Sequence, residues 1–450
     1  MATDPFGLPI PLRHPEAIAA WDSTIRAFLA HGADTPHHLA RVLELEPQFT
    51  LAHVAKGMFY LLLGRRELMS VAAESLLAAR ACPDQLPREQ IYVAALEACV
   101  AGDTHAGLRS LEHILRVTPQ DALAMKLSHA WRFVLGDSLG MRASLERVAE
   151  AYTPDHMAHG YFQGCMAFAL EETGEYASAR TTGLRGLEAA PDDAWGLHAV
   201  AHVHDMTGDA RGGLDWLSGR EAAWAHCNNF RYHVWWHKAL MHLDLGQMDQ
   251  VMSLYDTEIR ADKTDDYRDI SNGTSLLMRL ELEGVDVGNR WEELADLAQS
   301  RTEDGCLIFA DLHYILALAA DGREDAMARM LGRMHADAKY ADTVARKRMA
   351  TPGLSAARGL EAFGEGNYSA AFTNLLAARP NMQKAGGSHA QRDVFERITI
   401  DAGLRAGQFA QVETLLADRQ AKRGGEDGYA AARHALLSQA RTQAALLAAQ

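Results

Sequence analysis

Basic charge is what this 450-residue chain has least of relative to its opposite: 44 Lys and Arg against 59 Asp and Glu, a formal net charge of −15. Wrapping nucleic acid or lying on anionic lipid calls for the reverse balance or a local basic patch, so neither partner is expected. Long apolar runs are missing as well. None approaches the ~20 residues of a membrane span, and residues 1–11 lack the basic-then-apolar order of a leader, which points to the cytoplasm. The five cysteines (Cys82, Cys99, Cys165, Cys227, Cys306) are odd in number, scattered and never in a CxxC pair. That fits free thiols in a reducing compartment. Prolines number 13 and strand-like alternation is rare, which disfavours an all-β protein. No GxSxG elbow, HExxH helix, GxxxxGK loop or GxGxxG loop occurs. What is present is a 48% hydrophobic composition, enough for a large core.

The strongest positive signal is self-similarity. Residues 160–193 carry Ala167, Gly174, Tyr176, Ala179, Gly186 and Pro191 at positions 8, 15, 17, 20, 27 and 32 of a 34-residue unit. This is the tetratricopeptide pattern: two antiparallel helices kept close by small residues, a glycine turn between them, and a proline ending the second. The turn glycine recurs as Gly64, Gly102, Gly136, Gly174, Gly208, Gly246, Gly284, Gly322, Gly366 and Gly407, at spacings of 34 to 44 residues. Residues 354–380 form a second good copy, with Gly359, Gly366, Tyr368, Ala371, Ala378 and Pro380 in place. One such pair cannot bury its apolar face alone, so neighbours must stack into a superhelix. The expected fold is all-α, a tetratricopeptide-like α-solenoid. Residues 1–45 are expected to cap it and 46–340 to form the main array. Residues 341–427 add further repeats, and 428–450 close the end as an Ala- and Leu-rich helix whose apolar surface suits a homodimer. The charged stretch from Tyr340 to Gly353 reads as a solvated break between arrays.

Histidine and tryptophan crowd into the middle. Seven of the 21 histidines fall between residues 196 and 242, with two pairs at i,i+4: His198 with His202, and His233 with His237. Residues four apart share a helix face. Counting back from Gly208 and Gly246 puts Trp195, His198, His202 and Asp205, then His233, Trp236 and His237, on first helices of successive repeats, where such arrays line their concave side. Glu171 and Glu172 end the first helix one repeat earlier. Neutral imidazoles with a carboxylate suit a divalent transition metal, so the four paired histidines are the candidate ligands. Metal-free acid–base chemistry and plain ligand recognition remain open beside it. The blander alternative is that these imidazoles only pack or hydrogen-bond.

Asp311 and His313 lie on another first helix, but a spacing of two turns them ~200° apart, so both cannot face one groove. In GGSHAQRDVF, Ser388 can cap a helix. His389 can reach the groove from the loop, and Arg392 and Asp393 follow on the helix. Cys165 and Cys227 read as packing residues rather than nucleophiles, and His226 beside Cys227 should diverge from it.

In order along the chain, GCMAFALEETGEY, HAVAHVHDMTGD, HVWWHKALMHLDLG, SLLMRLELEG with RWEELA, FADLHY and GGSHAQRDVF resemble the tetratricopeptide repeat protein 38 family over residues 16–420. The resemblance implies one inner surface holding His198, His202, His233, His237, Asp311, His313, Arg392 and Asp393. It also implies an acidic residue where this chain has Asn272, which puts a metal ligand there in doubt. It implies no activity. Two readings follow. In the first, a pocket binds a small molecule and performs acid–base or metal-assisted, hydrolase-like chemistry. There His198, His202, His233, His237, Asp311 and His313 are catalytic candidates, and Glu171, Glu172, Trp195, Asp205, Trp236, His389, Arg392 and Asp393 are binding candidates. In the second, the base-rate role of such arrays, the groove holds a peptide or a partner helix without catalysis.

Overall fold

Each of the ten turn glycines sits in the left-handed region, with φ between 62° and 84°. Only glycine adopts that conformation without a Cβ clash, and it lets a helix stop and reverse at once. At Gly174 the geometry is plain: its N–H donates to Glu171 O and the next N–H, of Glu175, donates to Leu170 O, both at 2.9 Å. The computed structural model describes residues 2–83 and 85–448. Ten helix pairs turn on these glycines, from Thr50–Leu62 with Met69–Ala81 to His389–Arg405 with Phe409–Lys422. A pair without a repeat glycine, Pro15–Leu29 with Thr35–Leu45, precedes them and the helix Gly428–Ala448 follows. Strand structure among the described residues is one two-residue ladder, Ala2–Thr3 against Pro9–Ile10. The fold is an all-α solenoid of tetratricopeptide type. Among the described residues no helix is long and apolar enough to cross a membrane.

Small residues set the distance between partners. A Cβ on Gly160 would stand 2.5 Å from Ala190 Cβ and 2.7 Å from Gly186 O, so the pair around Gly174 closes nearly backbone to backbone. Two central first helices are buried almost all round: 14 of the 16 residues of Tyr267–Leu282 and 11 of the 13 of Ala194–Met206 are buried. An open groove would leave one face of each in solvent. Here that face is covered, because the superhelix is wound tightly enough for distant turns to meet.

Those meetings are specific. Val344 N–H donates to Gly102 O at 3.2 Å, and Arg348 reaches Leu135 O at 2.8 Å. Gly424 N–H donates to Met206 O at 2.9 Å, and Asn228 N–H donates to His31 O at 2.8 Å. Arg301 pairs with Glu67 at 2.7 Å. The helix His389–Arg405 crosses the interior, where Arg279 donates to Ala390 O at 2.7 Å. The stretch expected as a solvated break is therefore a clasp. Residues Val344–Arg348 are helical and Met349–Gly353 form a π turn, and Arg348 is drawn in by an orphan carbonyl at the end of a distant helix. In the terminal helix, Tyr429, Ala430 and Leu437 are buried against the array, and Leu436 is exposed among the described side chains. Met1, Asp84 and residues 449–450, the last two closing the expected terminal helix, lie outside the described residues.

Closure gives Gly136 a second task. Its Cβ position lies 1.8 Å from Gln383 O, whereas the space at Gly246 is open. Gly246→Ala should cost only the left-handed strain, about 1–2 kcal/mol. Gly136→Ala should cost clearly more, because it also parts the turn from residues 383–386. Chemical denaturation checks this, and equal losses would mean the two turns do not meet.

Candidate functional site

Two neighbouring first helices carry the histidine pairs. Ala194–Met206 presents His198 and His202 one turn apart, and Phe230–Asp244 presents His233 and His237 likewise. The helices lie side by side, so the four rings converge. Their centroids are 4.3 Å apart for His198–His202 and His202–His237, 4.8 Å for His198–His237 and His233–His237, and 5.0 Å for His198–His233. One ring nitrogen from each falls within 4.8 Å of the other three. All four residues are buried, with His233 the most open at 8%.

Two flanking groups orient the rings. His233 Nδ1–H donates to Asn272 Oδ1 at 2.9 Å, which leaves Nε2 as a lone pair. His202 Nδ1 faces Glu171 Oε2 at 3.3 Å, ion-pair distance without the alignment of a full hydrogen bond. His202 Nε2 and His198 Nε2 stand 2.8 Å apart. Beyond these contacts the cluster is unsatisfied: His198 Nδ1 and both nitrogens of His237 have no partner among the described residues. An orphaned buried polar atom costs about 1–3 kcal/mol.

Burial, followed by the neighbouring imidazoles, holds the pKa of His198 and His237 well below the usual histidine range. Burial takes His233 down to about 3, with the Asn272 bond opposing. For His202 burial acts the same way, but the carboxylates of Glu171, Glu172 and Asp205 together outweigh it and the pKa rises. Three neutral imidazoles, with lone pairs turned inward and carboxylate support behind the fourth, make a ligand set. Four nitrogens around a tetrahedral Zn²⁺ at ~2.0–2.1 Å would stand roughly 3.3 Å apart. The observed cluster needs only side-chain adjustments to meet that. Glu171 and Asn272 then act behind the ligands, fixing tautomers.

The other sequence candidates scatter around this centre. Trp236 stacks on His233, ring centroids 5.2 Å apart, with the Arg279 guanidinium 5.3 Å from its ring. Trp195 packs on His198 at 5.0 Å. Glu172 has a carboxylate oxygen within 4.8 Å of ligand atoms of Glu171 and His202, yet it accepts from His389 N–H at 2.6 Å and Arg392 Nη2 at 3.4 Å. Asp205, expected on the histidine wall, accepts from Arg423 through its Oδ1 at 2.8 Å. Asp393 is held by Arg397 and Arg419 at 2.7 and 2.9 Å. Against the cost of burial, Arg419 and Arg397 keep its pKa well below the carboxylate range. Asp311 and His313 diverge, as their spacing requires. Arg333 grips Asp311 at 2.8 and 3.0 Å. His313 Nδ1–H donates to Phe309 O at 2.7 Å, and its ring faces Phe395. Neither belongs to the four-histidine cluster. Ser388 caps its helix, accepting from Gln391 N–H at 3.2 Å. Cys227 Sγ does meet His226 Nε2 at 3.7 Å, contrary to expectation, but burial pushes the thiol up to about 12.

A cavity of about 390 Å³ opens beside His233, lined also by His31, Lys126, His129, Trp195 and Arg268. A larger space of about 680 Å³ lies past Glu172, but its guanidinium groups on Arg392, Arg419 and Arg423 are already ion-paired. Lys126 and His129 went unmarked in the sequence, and Asn272 was marked only as a departure from an acid. A lysine inside the apolar run ALAMKLSHAW was the available signal for the first two.

No protein-family model matches the chain. Among solved structures it is similar to the crystal structure of yeast Tom70, with a TM-score of 0.36 and 12% identity over 95% of this chain and 88% of that one, too distant a likeness to bear on function.

Proposed function

We propose that this protein binds a divalent transition metal on His198, His202, His233 and His237 and uses it on a small organic molecule held in the cavity beside His233. One observation carries the reading: four buried ring nitrogens within 4.8 Å of one another, several with no other partner. A metal in this place supplies Lewis acidity for hydrolase-like chemistry. The chain's own residues supply the rest. Glu171 steadies His202, Asn272 fixes the tautomer of His233, and Trp195 and Trp236 shield the rings from water. His233 brings the centre to the edge of the cavity.

The order of motifs supports membership of the tetratricopeptide repeat protein 38 family as part of the same proposal. The five free thiols, four of them buried, support a reducing cytoplasm. The second reading, a groove that holds a peptide or partner helix without catalysis, fits the tetratricopeptide-type scaffold as well, and the buried histidine cluster is what favours the metal reading.

Elemental analysis of the purified protein should find about one equivalent of transition metal, and His202→Ala/His237→Ala should lose it while keeping its helical circular dichroism. Absence of metal from the native protein would sink the proposal. Glu171→Gln should weaken metal affinity roughly 10- to 100-fold in chelator competition. Unchanged affinity would remove Glu171 from the supporting role.

A further inference from the structure

The cavity beside His233 has a second pole. Much of its wall is apolar, including Phe28, Leu39, Phe59, Phe133 and Leu307. Into this wall the helix Ala122–Val134 places Lys126, 3% exposed. Its ammonium makes no ion pair among the described residues. The contacts it has are Cys165 Sγ at 3.9 Å and the face of Trp195, 5.3 Å from the ring centroid. A buried ammonium so poorly paired is costly, and buried lysines ordinarily have a partner.

The surroundings do not supply that partner in contact: the carboxylate whose field meets Lys126, Asp193, forms no ion pair with it, and burial, with Lys126 opposing, pushes its pKa up to about 7. His31 and His129 are buried, and His31 Nε2 and both nitrogens of His129 have no hydrogen bond among the described residues. Burial first, and Lys126 next, hold both imidazoles well below their usual pKa, so they are neutral and offer no negative charge. Arg268, also on the wall, is paired with Asp266 at 2.6 Å and leaves the positive excess at Lys126 intact. Trp195 connects the two poles: Lys126 lies over its ring, and His198 of the metal cluster packs 5.0 Å from it.

We propose that the cavity binds a small organic carboxylate with an apolar body, its carboxylate on Lys126 beside His31 and His129 and its far end at His233. A carboxylate supplies the missing counter-charge and accepts from the ammonium, and the apolar body fills the aromatic wall. The size is at the small end of ligand pockets, which suits an arylalkyl or medium-chain acid. This inference uses the cavity of the proposed function but does not require the metal.

The test is calorimetric titration of the full chain, as purified and after chelation, with 4-phenylbutyrate and with its neutral amide. The acid should bind at least about tenfold more tightly than the amide, a charge-assisted contact being the difference. Lys126→Met should abolish that preference at unchanged metal content, and Lys126→Arg should retain it. Preference that survives chelation supports the Lys126 site whether or not a metal is native, so it leaves the inference standing even if the metal reading falls. Equal binding of acid and amide, no binding of either, or a preference untouched by Lys126→Met would overturn it. Loss of the preference on chelation alone would place the carboxylate on the metal and overturn the Lys126 assignment too.

Discussion

The close approach of two inner helices at Gly164 and Gly196 is the constraint on which the centre depends. A Cβ on Gly196 would stand 3.1 Å from Gly164 Cα, and one on Gly164 would strike Asp193 Oδ2 at 1.8 Å. With side chains excluded there, His159–Glu171 and Ala194–Met206 run nearly in contact. About two turns further along each helix this proximity delivers Glu171 to His202. Without it the carboxylate would lie too far from the imidazole to support it, and His202 would share the lowered pKa of its neighbours. A backbone contact thus sets the electrostatics of a site two turns away.

Closure of the superhelix does the rest by removing water. Charges buried this way must be matched, because desolvation otherwise outweighs attraction. Most of them are: Asp311 with Arg333, Asp401 with Arg433, and the chain linking Asp393, Arg419 and Asp427. Against that background the four imidazoles and Lys126 are among the places left unmatched. Both border one cavity, and both lie on first helices, where the repeat turns side chains inward.

The register of the array was legible because glycine in a left-handed turn has no substitute, and all ten marked positions adopt that turn. The histidine pairs were legible for a related reason: i,i+4 spacing and repeat phase are both local. Contacts between residues some two hundred positions apart were not. Nothing near Asp205 announces that Arg423 will take it, nor does anything near Gly102 announce Val344. So the expected open concave wall is largely covered by distant turns, and the single surface that the resemblance implied for the histidines with Asp311 and His313 is divided. Asn272 was noticed only as a missing acid. Its role is as an acceptor, for which an amide oxygen serves.

That role bears on the two chemistries left open by the sequence, although His202, whose pKa is raised beside Glu171, keeps an acid–base feature. A general acid or base works best with a pKa near the working pH. Three of the four imidazoles are held far below it, and His233 donates its Nδ1 proton to a neutral amide rather than to a carboxylate that would raise its basicity. Such rings are poor proton carriers and good neutral donors of lone pairs. The carboxylate in contact with the rings, Glu171, faces His202, as a group behind a ligand does. An arrangement built for proton transfer would place its acid between a ring and the cavity. Glu171 is absent from the lining of the cavity that His233 borders, an order that suits the proposed metal centre with its substrate approaching from one side.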